Sequence, residues 1–225
     1  MSEAGSHELS ASFIKNMVEI DNVTLNYKKS ILKDVSIKAY EGECIGLLGL
    51  NGSGKSTLLS AIAGIKKPHA GNIMIDGKVG FVTQENALIE ELSGIDNLMM
   101  WSPLGRKDIL AALTDSEASV LKTKDFIDLK VRRMSGGMKK RLAITSVILD
   151  KPDVLLLDEP LAALDIPAKK DIISFIDTFK SGGGTVFVAS HSEDVFAHCD
   201  RIYYLHDGKC EELPKGQTVT GALNV

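Results

Sequence analysis

Gly49-Leu50-Asn51-Gly52-Ser53-Gly54-Lys55-Ser56-Thr57 lies between an apolar run, Cys44-Ile45-Gly46-Leu47-Leu48, and the helix-forming stretch Leu58 to Gly64. Strand, glycine loop and helix in that order are what a P-loop requires. The glycines let the backbone turn its N–H groups inward, and the helix N-terminus adds partial positive charge, so the loop becomes an anion cradle suited to a triphosphate. Lys55 supplies a cation for the β- and γ-phosphates, Ser56 the hydroxyl for Mg²⁺, and Thr57 reaches the α-phosphate. A plain glycine-rich turn before a helix is the alternative; the full spacing and both flanks favour nucleotide binding.

Around this loop the chain has 225 residues, 44% of them hydrophobic, enough to bury a large core without staples. Cys44, Cys199 and Cys210 stand far apart without CxxC spacing, which predicts reduced thiols in a cytosolic protein and no cysteine metal site. A net charge of −4 disfavours nucleic acid as a partner. No stretch is long and apolar enough to span a bilayer, and residues 1–16 lack the apolar core of a signal peptide.

The patterning predicts an α/β fold: a P-loop NTPase core with a mainly parallel sheet, an antiparallel β edge subdomain and an inserted helical subdomain. Val18 to Tyr27 and Ile31 to Lys38 read as the antiparallel edge strands around a Lys28-Lys29-Ser30 turn. Asn72 to Ile75 and Val79 to Thr83 flank Asp76-Gly77, a hairpin signal. From Gln84 to Ser135 helix formers dominate, and the pattern then resumes with a helix over 135–150, a strand over 154–157, a helix over 167–180 and a strand over 185–190. A short helix over 193–199 and a strand over 201–205 follow. Expected boundaries are a disordered leader (1–16), an ATPase domain (17–210) with a helical subdomain at about 85–150, and a tail without clear period (211–225).

Two acids, Asp158 and Glu159, follow Leu155-Leu156-Leu157 at the carboxyl end of a buried-type strand, where open α/β sheets place their ligands. Asp158 suits Mg²⁺ held through a water, and Glu159 suits proton removal from the water that attacks the γ-phosphate. The bland reading is a strand-to-loop cap. Met134-Ser135-Gly136-Gly137-Met138 opens a second helix with a glycine pair, hence a second anion-binding terminus. One nucleotide has one γ-phosphate, so a second site makes sense if it serves the nucleotide of another copy. Lys139, Lys140 and Arg141 beyond it read as a solvated helix face.

With these motifs in this order over roughly Val18 to Gly208, the chain resembles the nucleotide-binding domains of the ATP-binding cassette (ABC) transporter family. The resemblance implies ATP and Mg²⁺ as cofactors and an ATPase subunit that dimerises, as a homodimer or heterodimer, to drive a separate transmembrane permease. It implies a cytoplasmic location, peripheral on the cytoplasmic face of the cell membrane. Ser135, Gly136 and Gly137 then look like the signature loop that reaches across the dimer. Met134 and Met138 depart from the usual leucine and glutamine, but the donors are Ser135 and the glycine amides. Gln84 is similar to the glutamine that senses Mg²⁺ and faces the membrane partner. Asp165 looks like a dimer contact, though it also fits a helix N-cap before Pro167. His191, at a strand end, looks like the switch histidine acting with Glu159; His7, His69, His198 and His206 lack that context. Tyr27 sits where the family stacks an aromatic on adenine, with ordinary packing as its other reading.

Met99, Met100 and Trp101 suit either a groove for a partner helix or the insertion's own core. The short stretch after Gly208 leans towards an exporter. The rival reading is a soluble ABC-type ATPase acting on DNA, ribosomes or a cofactor-assembly scaffold; a P-loop kinase or GTPase fits the Ser135 loop and His191 less well.

Overall fold

The computed structural model describes residues 15–27 and 30–214. Two sheets organise it. In the smaller, β1 (Asn16–Tyr27) lies between β2 (Ser30–Tyr40) and β4 (Ala70–Ile75), both antiparallel to it. The larger has the order β5 (Val79–Val82), β6 (Val154–Asp158), β7 (Thr185–Ser190), β3 (Cys44–Leu48), β8 (Arg201–His206) and β9 (Lys209–Glu212). All of its pairings are parallel except that of β9, which turns back on β8.

The central strands are buried on both faces, and their side chains divide between two cores. Val154, Leu156, Phe187, Ala189, Ile45 and Leu47 face α1 (Lys55–Ile62) and the small sheet. Leu155, Leu157, Val186 and Val188 face α4 (Gly136–Ile148) and α5 (Ile166–Ser181). Each fully buried leucine contributes roughly 2 kcal/mol, which explains why this alternation sets the strand register firmly. The strands' carboxyl ends therefore form one fixed rim.

Between β5 and α4 comes the helical insertion: α2 (Gly94–Trp101), α3 (Arg106–Asp115) and 3₁₀ turns over 117–121, 123–126 and 131–133. Its knot is Asn97, fully buried, whose Oδ1 accepts from the Ile89 N–H while Nδ2 donates to the carbonyls of Ile89 and Ser93. Met99, Met100 and Trp101 are exposed, so they are not the insertion's own core.

Several expectations need correction. Asp76-Gly77 is not a hairpin turn: β4 belongs to the small sheet and β5 to the large one. The carboxylate of Asp153 accepts from the Lys78 N–H at 2.7 Å, and Lys78 O accepts from Asp153 and Val154, so the chain is captured by the start of β6. Gly77, at φ 126°, makes this corner in a backbone region closed to other residues. A true hairpin does occur at Asp207-Gly208, and its second strand, β9, was missed because Lys209-Cys210-Glu211-Glu212 has little β propensity. His206 ends β8, stacking on Tyr204, so it does have a strand context. Asn16, expected in the leader, pairs with Tyr40. Lys15 is described as well, whereas residues 1–14 of the leader lie outside the described residues, as does the tail from 215 onward. The final short helix, α6 (Glu193–Phe196), stops before Cys199.

Candidate functional site

At the carboxyl rim of the large sheet a cleft of about 540 Å³ is lined by residues 51–57, Gln84, Asp158, Glu159, Ala162 and His191. Four separate stretches of sequence meet there because β3, β7, β6 and β5 are consecutive neighbours and all end on the same side. The glycine loop leaves β3 and enters α1, whose N-cap is Gly54 at φ 109° without any side-chain cap. The first N–H groups of α1 therefore face the cleft without a capping side chain to occupy them.

Lys55 is buried at the base of the loop, its Nζ donating to the carbonyls of Gly49 at 2.7 Å and Leu50 at 3.3 Å. Burial pushes its ammonium below the usual lysine range, while Glu159 and Asp158 pull it back up. Asp158 shows the converse: burial raises its carboxyl, and a hydrogen bond from Ser56 lowers it. Its Oδ1 is buried and has no hydrogen-bond partner among the described residues. Such an atom costs free energy unless something completes it. A carboxylate oxygen and a hydroxyl side by side form the hard-oxygen donor set that suits Mg²⁺.

Glu159 stands at φ 45°, a left-handed conformation unusual for a residue with a side chain. Its N–H donates to Ala189 O at 2.9 Å, Ser190 Oγ donates to Oε2 at 3.3 Å, and His191 Nδ1 lies 2.9 Å from Oε1. The end of β7 thus clamps the carboxylate that follows β6. Ser190 and Ala162 had no signal in the sequence beyond their neighbours; Ser190 is brought in by the pairing of β7 with β6, and Ala162 by the turn in which its N–H donates to Glu159 O at 3.3 Å.

The second glycine-opened helix lies elsewhere. Ser135 is the N-cap of α4, its Oγ accepting from the Met138 N–H at 3.2 Å, and Ser135 and Gly136 are exposed. Neither they nor Gly137 line the cleft. Asp165 is likewise exposed outside it and caps α5, its Oδ1 accepting from the Ala168 N–H at 2.9 Å. The side chain of Tyr27 lies outside the described residues.

The basic run after Gly136 and Gly137 is not a solvated face. Lys140 is 4% exposed and donates to backbone carbonyls, and Arg141 pairs with Asp171 at 2.8 Å while lying over the Phe126 ring. Lys140 falls on the buried stripe Gly137, Lys140, Ile144 and Ile148 of α4, a period that the charges concealed.

A P-loop in a parallel sheet, two acids and a histidine on one rim, and a second anion-binding terminus facing away define a P-loop nucleotide hydrolase of cassette type. Comparison with known proteins agrees: the family model for ABC transporters matches residues 32–162. The chain belongs to the ABC transporter family, as an ATP-binding and ATP-hydrolysing cassette. It is similar to the linearmycin resistance ATP-binding protein LnrL of Bacillus subtilis, at 34% identity over 215 residues, covering 86% of this chain and 67% of LnrL. It is also similar to the spermidine/putrescine import ATP-binding protein PotA of Mesoplasma florum, at 33% identity, covering 88% of this chain and 61% of PotA. Among solved structures, a dimeric ATP-binding cassette in a post-hydrolysis state with ADP and Pi matches with a TM-score of 0.74 and 29% identity, over 88% of this chain and 98% of that one. No helix among the described residues is long and apolar enough to cross a membrane.

Proposed function

We propose that two copies of this chain, or one copy and a homologous cassette, close around two ATP molecules and hydrolyse them to drive a separate transmembrane permease from the cytoplasmic face of the cell membrane. The observation that carries this reading is the division of the site. The cleft holds the P-loop, Gln84, Asp158, Glu159 and His191, whereas Ser135 and Gly136 present a helix N-terminus to the outside, with Gly137 buried behind them. The relative solved with ADP and Pi is itself dimeric, which supports the same division.

The chemistry follows from the chain's own groups. Lys55 exchanges the carbonyls of Gly49 and Leu50 for phosphate oxygens, and the N–H groups at the start of α1 receive the rest of the triphosphate. Asp158 Oδ1 and Ser56 would hold Mg²⁺, with Gln84 beside them; the ion when bound neutralises charge on the β- and γ-phosphates. Glu159 takes the proton of the attacking water. His191 and Ser190 orient its carboxylate, and His191, more than half exposed, can reach the γ-phosphate as well. Tyr27 contributes adenine stacking and Asp165 a contact with the opposite cassette.

Docking of a protein partner is supported by a mainly apolar groove of about 190 Å³ beside Gln84, where Phe81, Val82, Leu88, Trp101, Ala143 and Val147 are joined by the polar Thr83, Glu85, Asn86 and Ser146. Met99 and Met100, which precede Trp101 on α2, are exposed as well. Transport direction draws no support either way, since one relative is named for import and another for resistance. The test is recovery of the intact complex in mild detergent. A stoichiometric membrane chain supports the reading, and a complex with nucleic acid or ribosomes instead would refute it.

A further inference from the structure

Lys140 is a charged side chain buried without a carboxylate at salt-bridge distance among the described residues. Its Nζ donates to the carbonyls of Thr83 at 3.1 Å and Gln84 at 3.0 Å, where the chain leaves β5 for the insertion. Burial lowers its pKa, and Asp158 and Glu159, close enough to act on it, raise it. For packing alone an apolar side chain of similar volume would be no worse and often better, because desolvating an ammonium costs several kcal/mol. The charge therefore has a local purpose, and what it holds is the backbone of Gln84.

The same helix carries the exposed N-terminus. Ser135 and Lys140 are five residues apart on α4, about 7.5 Å along a rigid axis. One end of this short lever meets whatever approaches Ser135 to Gly137; the other grips a residue lining the chain's own cleft. We propose that Lys140 is a positioning residue that links the two nucleotide sites, transmitting engagement of the Ser135 loop on one nucleotide to the setting of Gln84 on the other. This rests on the two-cassette reading above. Lys140 itself touches no reacting atom.

The test uses the full chain in a Glu159→Gln background, where turnover does not blur the closed state. Amide hydrogen exchange over residues 83–88, measured with ATP, is expected to be at least about fivefold slower than in Glu159→Gln/Ser135→Arg, the lower end of ordinary coupling strengths. Lys140→Met keeps the stem and removes the donors; it should erase that difference while light scattering still shows the ATP-dependent dimer. Lys140→Gln, which retains N–H donors, should restore it. In the chain with native Glu159, Lys140→Met should lower kcat and leave the KM for ATP unchanged. Equal exchange in the Glu159→Gln and Glu159→Gln/Ser135→Arg proteins overturns the link whether or not Lys140→Met folds, as does persistent slow exchange in Lys140→Met. Absence of any ATP-dependent dimer in Glu159→Gln would instead bring down the two-cassette reading, and this link with it.

Discussion

The chain opens two helices with glycine loops, and the structure treats them oppositely. α1 starts at Gly54 without a side-chain cap, enclosed by Asp158, Glu159, Gln84 and His191. α4 starts at Ser135 with its own hydroxyl as cap, exposed, and with no acid or histidine of the cleft around it. Both are anion-binding termini by the same helix electrostatics. The first is surrounded by groups that can do chemistry, and the second is stabilised to wait in solvent. The difference teaches that a helix terminus binds charge wherever it lies, whereas catalysis depends on what neighbouring strands bring to it.

The sharpest way to break the comparison is at α1's site. Glu159→Gln should bind ATP normally, lose about 10²- to 10⁴-fold in phosphate release and accumulate as an ATP-dependent dimer. Unimpaired turnover would remove the chemical distinction between the two sites. At the other helix, Ser135→Arg should reduce the ATP-dependent dimer to the level seen without nucleotide, while nucleotide binding to the monomer is unchanged. Ser135→Asp sharpens this result: aspartate caps a helix as well as serine does, so thermal stability should hold while its charge repels triphosphate. Loss of stability together with the dimer would mean that Ser135 is a cap and nothing more.

Smaller effects test how each helix is anchored. Arg141→Met removes the ion pair with Asp171 and the contact over Phe126, both partly buried, and should cost about 1–3 kcal/mol in chemical denaturation. Turnover at low temperature should change little. Thr57→Ala removes one hydroxyl from the first turn of α1 and should weaken ATP about fivefold in equilibrium binding, roughly 1 kcal/mol. A similar loss of affinity from Ser135→Ala in the monomer would contradict the division of labour.

Much of the site was legible because its signals are local. Gly49 to Thr57 declare themselves by spacing, and Asp158-Glu159 by following a continuous apolar strand, whose burial on both faces is confirmed. Asp165 was readable as a cap, and the structure shows the bond. Lys140 was not legible as buried, because a lysine between Lys139 and Arg141 looks solvated until the carbonyls of Thr83 and Gln84 are found above it. The Asp76-Gly77 corner failed for a similar reason. Its dipeptide favours a tight turn, and the competing capture of Lys78 by Asp153 comes from residues 75 positions away. Cys44 and Cys199, remote in sequence, lie with their sulfurs 3.5 Å apart through the pairing of β3 and β8, which spacing gave no means to foresee.

By itself the amino-acid order determined most of the elements, the class of fold and the chemical character of the nucleotide loop, since these depend on propensity, periodicity and backbone freedom over a few residues. Tertiary structure decided which strand ends adjoin, and so that Gln84, Glu159 and His191 share one cleft while Ser135 faces away. Strand order is set by burying both faces of the large sheet at once, a condition satisfied across the whole chain that no short window contains.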